Sequence, residues 1–481
     1  MDYPYLKGFI KSLLKNLTKN NQKIKFLGIM NTRNEAERDD EHMIKEKTAA
    51  AELKELDKKH FFHPTSSIKQ QQQSGPAFIF TEGKGIYLYD ESGTKVIDGM
   101  SSLWNVNVGH GREELGEVAK EQMAKLAFSS SFASFSNEPA IRLAAKIAEI
   151  APGDLNAVFF TSGGSESNDT AYKLARHYWV VKGQPQRQKI ISRSKSYHGV
   201  NVGATSATGL KPFRDFTNSL APDFCYVDHM SPDALRARIE QEGPETIAAF
   251  IAEPVQGAGG VHVAPENYFK EIRSICDEYG ILFITDEVIT GFGRTGKLFG
   301  IEHYGVVPDM MCFAKGVSSG YAPLGGVVFS QALYEELGEL STGTLLHGYT
   351  YSGHPMACAV ALKNIDIIER EKLADNAEKR GVDMLNGFEE IKAANPIIRA
   401  VRGLGLMGAI EFHSQESADG PLAPRVLAEA AKRGLICRAV VLEGQDILVF
   451  SPPLVITNNE MQEMLHILQA SVYAVEQSLQ K

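Results

Sequence analysis

From about residue 157 to residue 315 the chain repeats one rhythm. A short apolar run ends in a turn of glycine or small polar residues, and an amphipathic helix follows. AVFF leads to ESNDTAYKLARHYWVV, KIISRS to SYHG, and TIAAFIAE to PVQGAGG; the helix YFKEIRSICDEYG feeds ILFIT, and DMMCFA precedes Lys315. Runs that are apolar at every position suit strands buried on both faces, so the pattern predicts an α/β fold with a mainly parallel central sheet flanked by helices. Upstream, FIFTEGKGIYLYDESGTKVIDG alternates around GKG and ESG and predicts a small antiparallel meander. Past residue 345 the pattern changes again. A helix over MACAVALKNIDIIERE, a second to about 394, strands at GLMGAIEF and ILVFS and a final helix from Asn459 predict a smaller α+β domain.

These shifts divide the chain into a basic extension (1–30), a segment joining the small domain (31–100), a large domain (101–345) and a small C-terminal domain (346–481). Residues 34–60 form a charge-dense helical stretch ending in HFFHP, and SSIKQQQQSGP is expected to be a polar linker. The first thirty residues carry six lysines and one acid, with Leu6, Phe9, Ile10, Leu13, Leu14 and Leu17 at helical spacing. Membrane-surface and targeting helices share that pattern. It lacks the apolar core and cleavage site of a secretory signal, and is read as a loosely attached, disordered extension with Met30 as an alternative start.

Composition narrows the function classes. An apolar fraction of 43% and a charged fraction of 23% over 481 residues suit a globular chain of about two domains. Lys plus Arg is 50 against 59 for Asp plus Glu, a net charge of −9 that argues against nucleic acid as the main partner. No stretch approaches the roughly 18 apolar residues of a membrane span. The five cysteines (Cys225, Cys276, Cys312, Cys358, Cys437) lack C-x-x-C spacing, which fits reduced thiols in a cytoplasmic protein and neither a disulfide framework nor a metal site.

In open α/β sheets ligands bind beyond the carboxyl ends of the strands. Five candidate groups fall there: Ser162–Ser165 after AVFF, Tyr197 after KIIS, Glu253 after AAFIA, Asp286 after ILFIT and Lys315 after MMCFA. Behind Asp286, GFGRTGK satisfies both G-x-G-x-x-G and G-x-x-x-x-G-K. Its first glycine stands too far past the strand for a dinucleotide loop, however. Leu298 also replaces the hydroxyl residue that a phosphate-binding P-loop requires.

Asp286 offers more. A carboxylate at the end of a buried strand must be capped, hydrogen-bonded or paired with a cation. Lys315 sits in a similarly apolar place, where the charged form is disfavoured and the amine becomes a nucleophile. Gly164 and Ser165 open a helix and can offer donors to a phosphate, or serve as an ordinary cap. Tyr197 can stack on a ring or fill the core. Lysine, acid and helix start together suit pyridoxal 5'-phosphate: the lysine binds it covalently, the acid pairs with its pyridine nitrogen and the helix start takes its phosphate.

DEVITGFGRTG followed by PDMMCFAKGVSSGYAPLGG resembles the signature of class III pyridoxal-phosphate aminotransferases. The likeness extends through DGMSSLWNVNVGHGR, SGGSESND, SYHG, AEPVQGAGGV, HGYTYSGHP and ICRAV…FSPPL, from about residue 55 to the end. It is greatest to the amine and ω-amino acid:pyruvate transaminases. The resemblance implies the aspartate-aminotransferase-like fold (PLP fold type I) and a homodimer, or dimer of dimers, with active sites at the subunit interface. Lys315 becomes the Schiff-base lysine and proton carrier, and Asp286 the partner of the pyridine nitrogen. Tyr197 and Val288 sandwich the ring, Gly164 and Ser165 hold the phosphate, and Thr350 reaches it from the neighbouring subunit. Glu253 stands behind this group in a supporting or structural role. Arg438 matches the arginine that grips a substrate carboxylate and swings away for apolar amines; Trp104 and Phe132 line the apolar part of the pocket. The implied reaction moves an amino group from an ω-amino acid or primary amine, such as β-alanine or taurine, to pyruvate. Related class III activities remain alternatives: diaminopelargonate, 4-aminobutyrate or ornithine transamination, or an aminomutase. A nucleotide-binding role for GFGRTGK is the remote one. Two positions depart from the family pattern: Thr65 stands where relatives often carry an aromatic residue, and Gly163 where they carry serine.

Overall fold

The computed structural model describes residues 50–413 and 420–479. The basic extension and the first part of the charge-dense stretch lie outside these residues. Chain contacts divide the rest into two units, one comprising residues up to Glu82 with Tyr89–Thr94, the other Gly83–Leu88 with Lys95 onward.

In the first unit residues 50–60 are helical. SSIKQQQQSGP, expected to be a linker, instead contains a helix over Ile68–Ser74. The reason is local. Ser67 caps it by accepting from the Gln70 N–H, the glutamines are good helix formers, and Gly75 ends it at φ 68°. Asp57 ties the two helices by accepting from Gln71 at 3.0 Å while bonding His63 at 2.8 Å.

The second unit is built on a seven-stranded sheet. Its strands are β1 (Leu155–Thr161), β2 (Lys189–Arg193), β3 (Phe224–Val227), β4 (Ile247–Ala252), β5 (Leu282–Asp286), β6 (Met310–Phe313) and β7 (Gly325–Ser330), in the spatial order β1-β7-β6-β5-β4-β2-β3. The ladders from β6 through β5, β4 and β2 to β3 are parallel, and β7 runs antiparallel to both its neighbours. The sheet is therefore mixed, with a parallel centre.

Strand alternation sorts side chains into two apolar layers. Ala249, Ile251, Ile284 and Met310 face Ala171, Tyr172 and Leu174 of helix α1 (Gly164–Val181). Phe250, Phe283 and Met311 face Phe269, Ile272 and Ile275 of helix α2 (Tyr268–Tyr279). Every residue of β4 and β5 is buried, which is why these runs carry no polar alternation.

The C-terminal region holds helices α3 (Pro355–Arg370) and α4 (Leu373–Ala394) and the strands β8 (Ile398–Leu404), β9 (Met407–Phe412), β10 (Arg438–Val440) and β11 (Ile447–Phe450). The strands form an antiparallel sheet in the order β8-β9-β11-β10. Phe388 of α4 packs on Phe450 of β11 with ring centres 5.1 Å apart. Just before β10, Leu435–Ile436 pairs in parallel with the strand Lys95–Asp98, so chain from before and after the large sheet meets in one place. Among the described residues no helix is long and apolar enough to cross a membrane.

Candidate active site

The carboxyl ends of the parallel strands deliver the chemistry. β5 ends on Asp286 and β6 ends two residues before Lys315, while β4 ends immediately before Glu253. Neighbouring strands share register, Asp286 opposite Cys312 and Thr285 opposite Ala252, so these exits open at one edge.

Asp286 is 4% exposed and held by three donors. Asn168 of α1 donates to Oδ2 at 2.8 Å, the Nδ1 of His198 bonds the same oxygen at 2.8 Å, and the Val288 N–H donates to Oδ1 at 3.0 Å. His198 is itself buried, and among the described residues its other ring nitrogen has no hydrogen-bond partner. Sequence reasoning named neither Asn168 nor His198. Both stood inside SGGSESND and SYHG, but only the fold shows that these segments converge on one carboxylate.

Lys315 opens a single 3₁₀ turn with φ 43°, in the left-handed region that disfavours a side chain. Its own side chain is largely enclosed. Burial lowers the Lys315 amine to about 8, against the opposing pull of Asp286 and Glu253 and with a further push from Arg438. These four groups therefore act on one another across a single site. Tyr197 belongs to it too. Burial raises its phenol, while the Arg438 guanidinium, the next largest influence, lowers it. The Tyr197 ring packs edge-on against Phe213 at 5.2 Å.

Glu253 sits beneath. Its carboxylate accepts the backbone N–H groups of Tyr197 at 3.0 Å and Gly257 at 3.1 Å, and burial pushes it up to about 7. Buried Arg193 donates to the Glu253 carbonyl, fixing the same turn from behind.

The start of α1 forms the other wall. A Cβ at Gly164 would stand 2.7 Å from a Val288 methyl, and one at Gly199 would collide with the Ser165 hydroxyl. The two segments approach so closely that only glycine fits. Ser165 Oγ accepts from the Val200 N–H at 3.1 Å, which leaves its own hydrogen to be donated. Unpaired N–H groups of a first helical turn and a serine hydroxyl suit an anionic group.

Arg438 lies on β10 opposite Val449, and its charge is felt by Tyr197 and Lys315. Trp104 is 1% exposed in an apolar cluster with Ile289, Val440 and Ile447. Phe132 and Thr350 differ. Phe132 is 49% exposed and lies against Gly348, where a Cβ would approach its ring to 2.9 Å. Thr350 is exposed in a turn whose neighbour Tyr349 donates to the Glu166 carbonyl at 3.2 Å. Among the described residues neither makes a hydrogen bond or ring contact with the Lys315 group.

The glycine loop after Asp286 does not open into an α-helix; residues 288–299 are turns and bends, and a 3₁₀ helix over Gly300–Tyr304 follows. Glu287, fully buried and pushed up to about 7, accepts the N–H groups of Gly300 and Ile301 at 2.8 Å each. That carboxylate anchors the loop, and Lys297 is exposed.

Residues 68–472 match the family model described as aminotransferase class-III. The chain belongs to the class III aminotransferases. These enzymes use pyridoxal phosphate, and the residues present fit its three requirements: an amine whose proton affinity is lowered, a braced carboxylate and a glycine-lined helix start. The chain is 40% identical to a putrescine–pyruvate aminotransferase of Pseudomonas aeruginosa over 86% of its own length and 94% of the relative's. A transaminase structure from the marine bacterium Virgibacillus superposes with a TM-score of 0.87 at 53% identity, covering 89% of this chain and all of that one. An (S)-enantioselective omega-transaminase from Thermomicrobium roseum gives 0.83 at 42% identity, covering 89% and 98%. The fold of this class III aminotransferase is thus PLP fold type I.

Proposed function

We propose that this transaminase moves an amino group from a primary amine or ω-amino acid to pyruvate, releasing an aldehyde or ketone and alanine. The observation that carries this reading is Arg438. It acts on both Tyr197 and Lys315, and a planar guanidinium grips a carboxylate with two parallel bonds. The similarity to a putrescine–pyruvate enzyme supports an amine donor and pyruvate as acceptor.

Pyridoxal phosphate, when bound, supplies the electron sink that lets a C–H bond beside nitrogen break. Asp286 would pair with the positive charge of its ring nitrogen, and Asn168, His198 and the Val288 N–H keep that carboxylate in place. Val288 and Tyr197 would enclose the ring, Tyr197 being steadied through its backbone by Glu253. Gly164 and Ser165 offer N–H and hydroxyl donors to the phosphate. Lys315 Nζ takes the proton from the substrate carbon and returns one in the second half of the cycle. Arg438 orients the carboxylate of pyruvate, and Trp104 bounds the apolar side of the donor pocket.

Thr350, exposed in one chain, is assigned to a second copy's site, which calls for a homodimer or a dimer of dimers; the protein is read as cytoplasmic. As part of this reading, 101–345 is proposed to bind the cofactor and 346–481 to form a smaller domain. A donor screen of purified protein with putrescine, β-alanine, taurine and 4-aminobutyrate, each with pyruvate, tests the assignment. Alanine formation is expected with at least one donor. Activity only with 2-oxoglutarate as acceptor would overturn it.

A further inference from the structure

The GFGRTG loop holds no phosphate role, yet its arginine is placed with unusual care. Arg294 is among the largest fully buried side chains. Burial lowers its guanidinium to about 9, with Asp98 acting in the opposite direction. No carboxylate stands within ion-pair distance of it among the described residues. Its partners are neutral. Nη1 donates to the carbonyls of Pro452 and Leu406, and Nη2 donates to Ser101 Oγ at 3.0 Å and Asn107 Oδ1 at 2.8 Å.

A buried cation with no ion-pair partner among the described residues is a poor choice for stability alone, since an apolar side chain of similar size does as well or better. The fork geometry explains the choice. Five donors in one plane can fix several acceptors at set angles, which a lysine cannot.

The acceptors belong to segments that matter. Ser101, Ser102 and Trp104 all have positive φ, at 47°, 58° and 60°, so this stretch must be held from outside. Ser101 Oγ passes the linkage on by donating to the Ser451 carbonyl at 2.7 Å. Asn107 donates to the Phe292 carbonyl at 2.9 Å, and its amide fills the space above Gly316, where a Cβ would come within 2.5 Å. Gly316 directly follows Lys315.

We propose that Arg294 is a positioning residue that sets the shape of the donor pocket. It holds the strained Ser101–Trp104 segment and, through Asn107, braces the turn that carries Lys315, without touching substrate. This rests on the reading that Trp104 bounds the donor pocket.

Holoenzyme carrying Arg294→Lys, Arg294→Met or Ser101→Ala tests it, the last removing only the hydroxyl arm. The readouts are the visible band of the bound cofactor, its affinity, the melting temperature, and KM and kcat for a small diamine and a bulky aryl amine. Both Arg294 variants are expected to keep the band while donor KM rises about tenfold, the cost of one bond from a charged donor. The ratio of kcat/KM between bulky and small donors shifts, and Ser101→Ala shifts it in the same direction by less. An unchanged ratio and unchanged KM, with losses tracking melting temperature alone, would overturn the proposal. Should the Arg294 variants fail to fold, an unchanged donor ratio in Ser101→Ala overturns it by itself. Wild-type protein that holds the cofactor but turns over no amine would instead defeat the donor-pocket reading, and this proposal with it.

Discussion

His198 Nδ1 lies 2.8 Å from Asp286 Oδ2, on the same oxygen that Asn168 reaches at 2.8 Å. Two side chains converge on one carboxylate oxygen, while among the described residues Oδ1 receives the Val288 N–H alone. The bracing fixes the direction in which the carboxylate can meet a cation. His198→Ala is expected to weaken cofactor binding about 10- to 100-fold, since a hydrogen bond to a charged group contributes roughly 1.5–3 kcal/mol. Titration of apo-protein with pyridoxal phosphate measures it. Unchanged affinity and an unchanged spectrum would mean that His198 only fills space.

The Lys315 amine gives a pH signature. Its folded value is lowered to about 8 from 10.5, so the neutral fraction grows as pH rises through 8. The rate at which apo-protein captures the cofactor aldehyde should climb with an inflection near pH 8 and then level. Between these two values the native state binds fewer protons than the unfolded chain, so this group makes apo-protein stability rise with pH across that window. Lys315→Ala should abolish turnover and the pH-dependent capture together.

Arg438→Ala separates substrates. Loss of a charge-assisted pair should raise KM for pyruvate and for ω-amino acids about 10- to 100-fold, while apolar amines change little in the donor half-reaction. Stopped-flow measurement of the two half-reactions resolves them. Equal losses for carboxylate and apolar donors would contradict the assignment.

Gly199→Ala probes the wall beside the helix start. The position has φ 117°, and an added Cβ would overlap Ser165 Oγ, so Ser165 must move. Cofactor affinity and melting temperature should both fall. Retention of both would show that Ser165 is free to shift.

Much of the fold and the site was legible along the chain because buried parallel strands carry no polar alternation. AAFIA, ILFIT and MMCFA stand out for that reason, and the residues just past their ends are the ones the sheet gathers at one edge. The groups that stayed hidden depend on contacts distant in sequence. Asn168 and His198 looked like ordinary polar residues until α1 and the turn after β2 met at Asp286. Arg294 lay in a motif that resembles a phosphate loop, and its partners lie before and after the large sheet. SSIKQQQQSGP was misjudged for a local reason: its polarity suggested a linker, whereas Ser67 and the glutamines favour a capped helix. Phe132 and Thr350 are exposed in the single chain, and the role the resemblance implies for Thr350 is in a neighbouring subunit's site.

The most direct test is the pair of half-reactions in purified protein loaded with pyridoxal phosphate. An amine donor alone should bleach the visible band of the bound cofactor, and pyruvate added afterwards should restore it with one alanine formed per site; Lys315→Ala should do neither. A band that no amine bleaches, or one that pyruvate cannot restore after bleaching, would contradict the account.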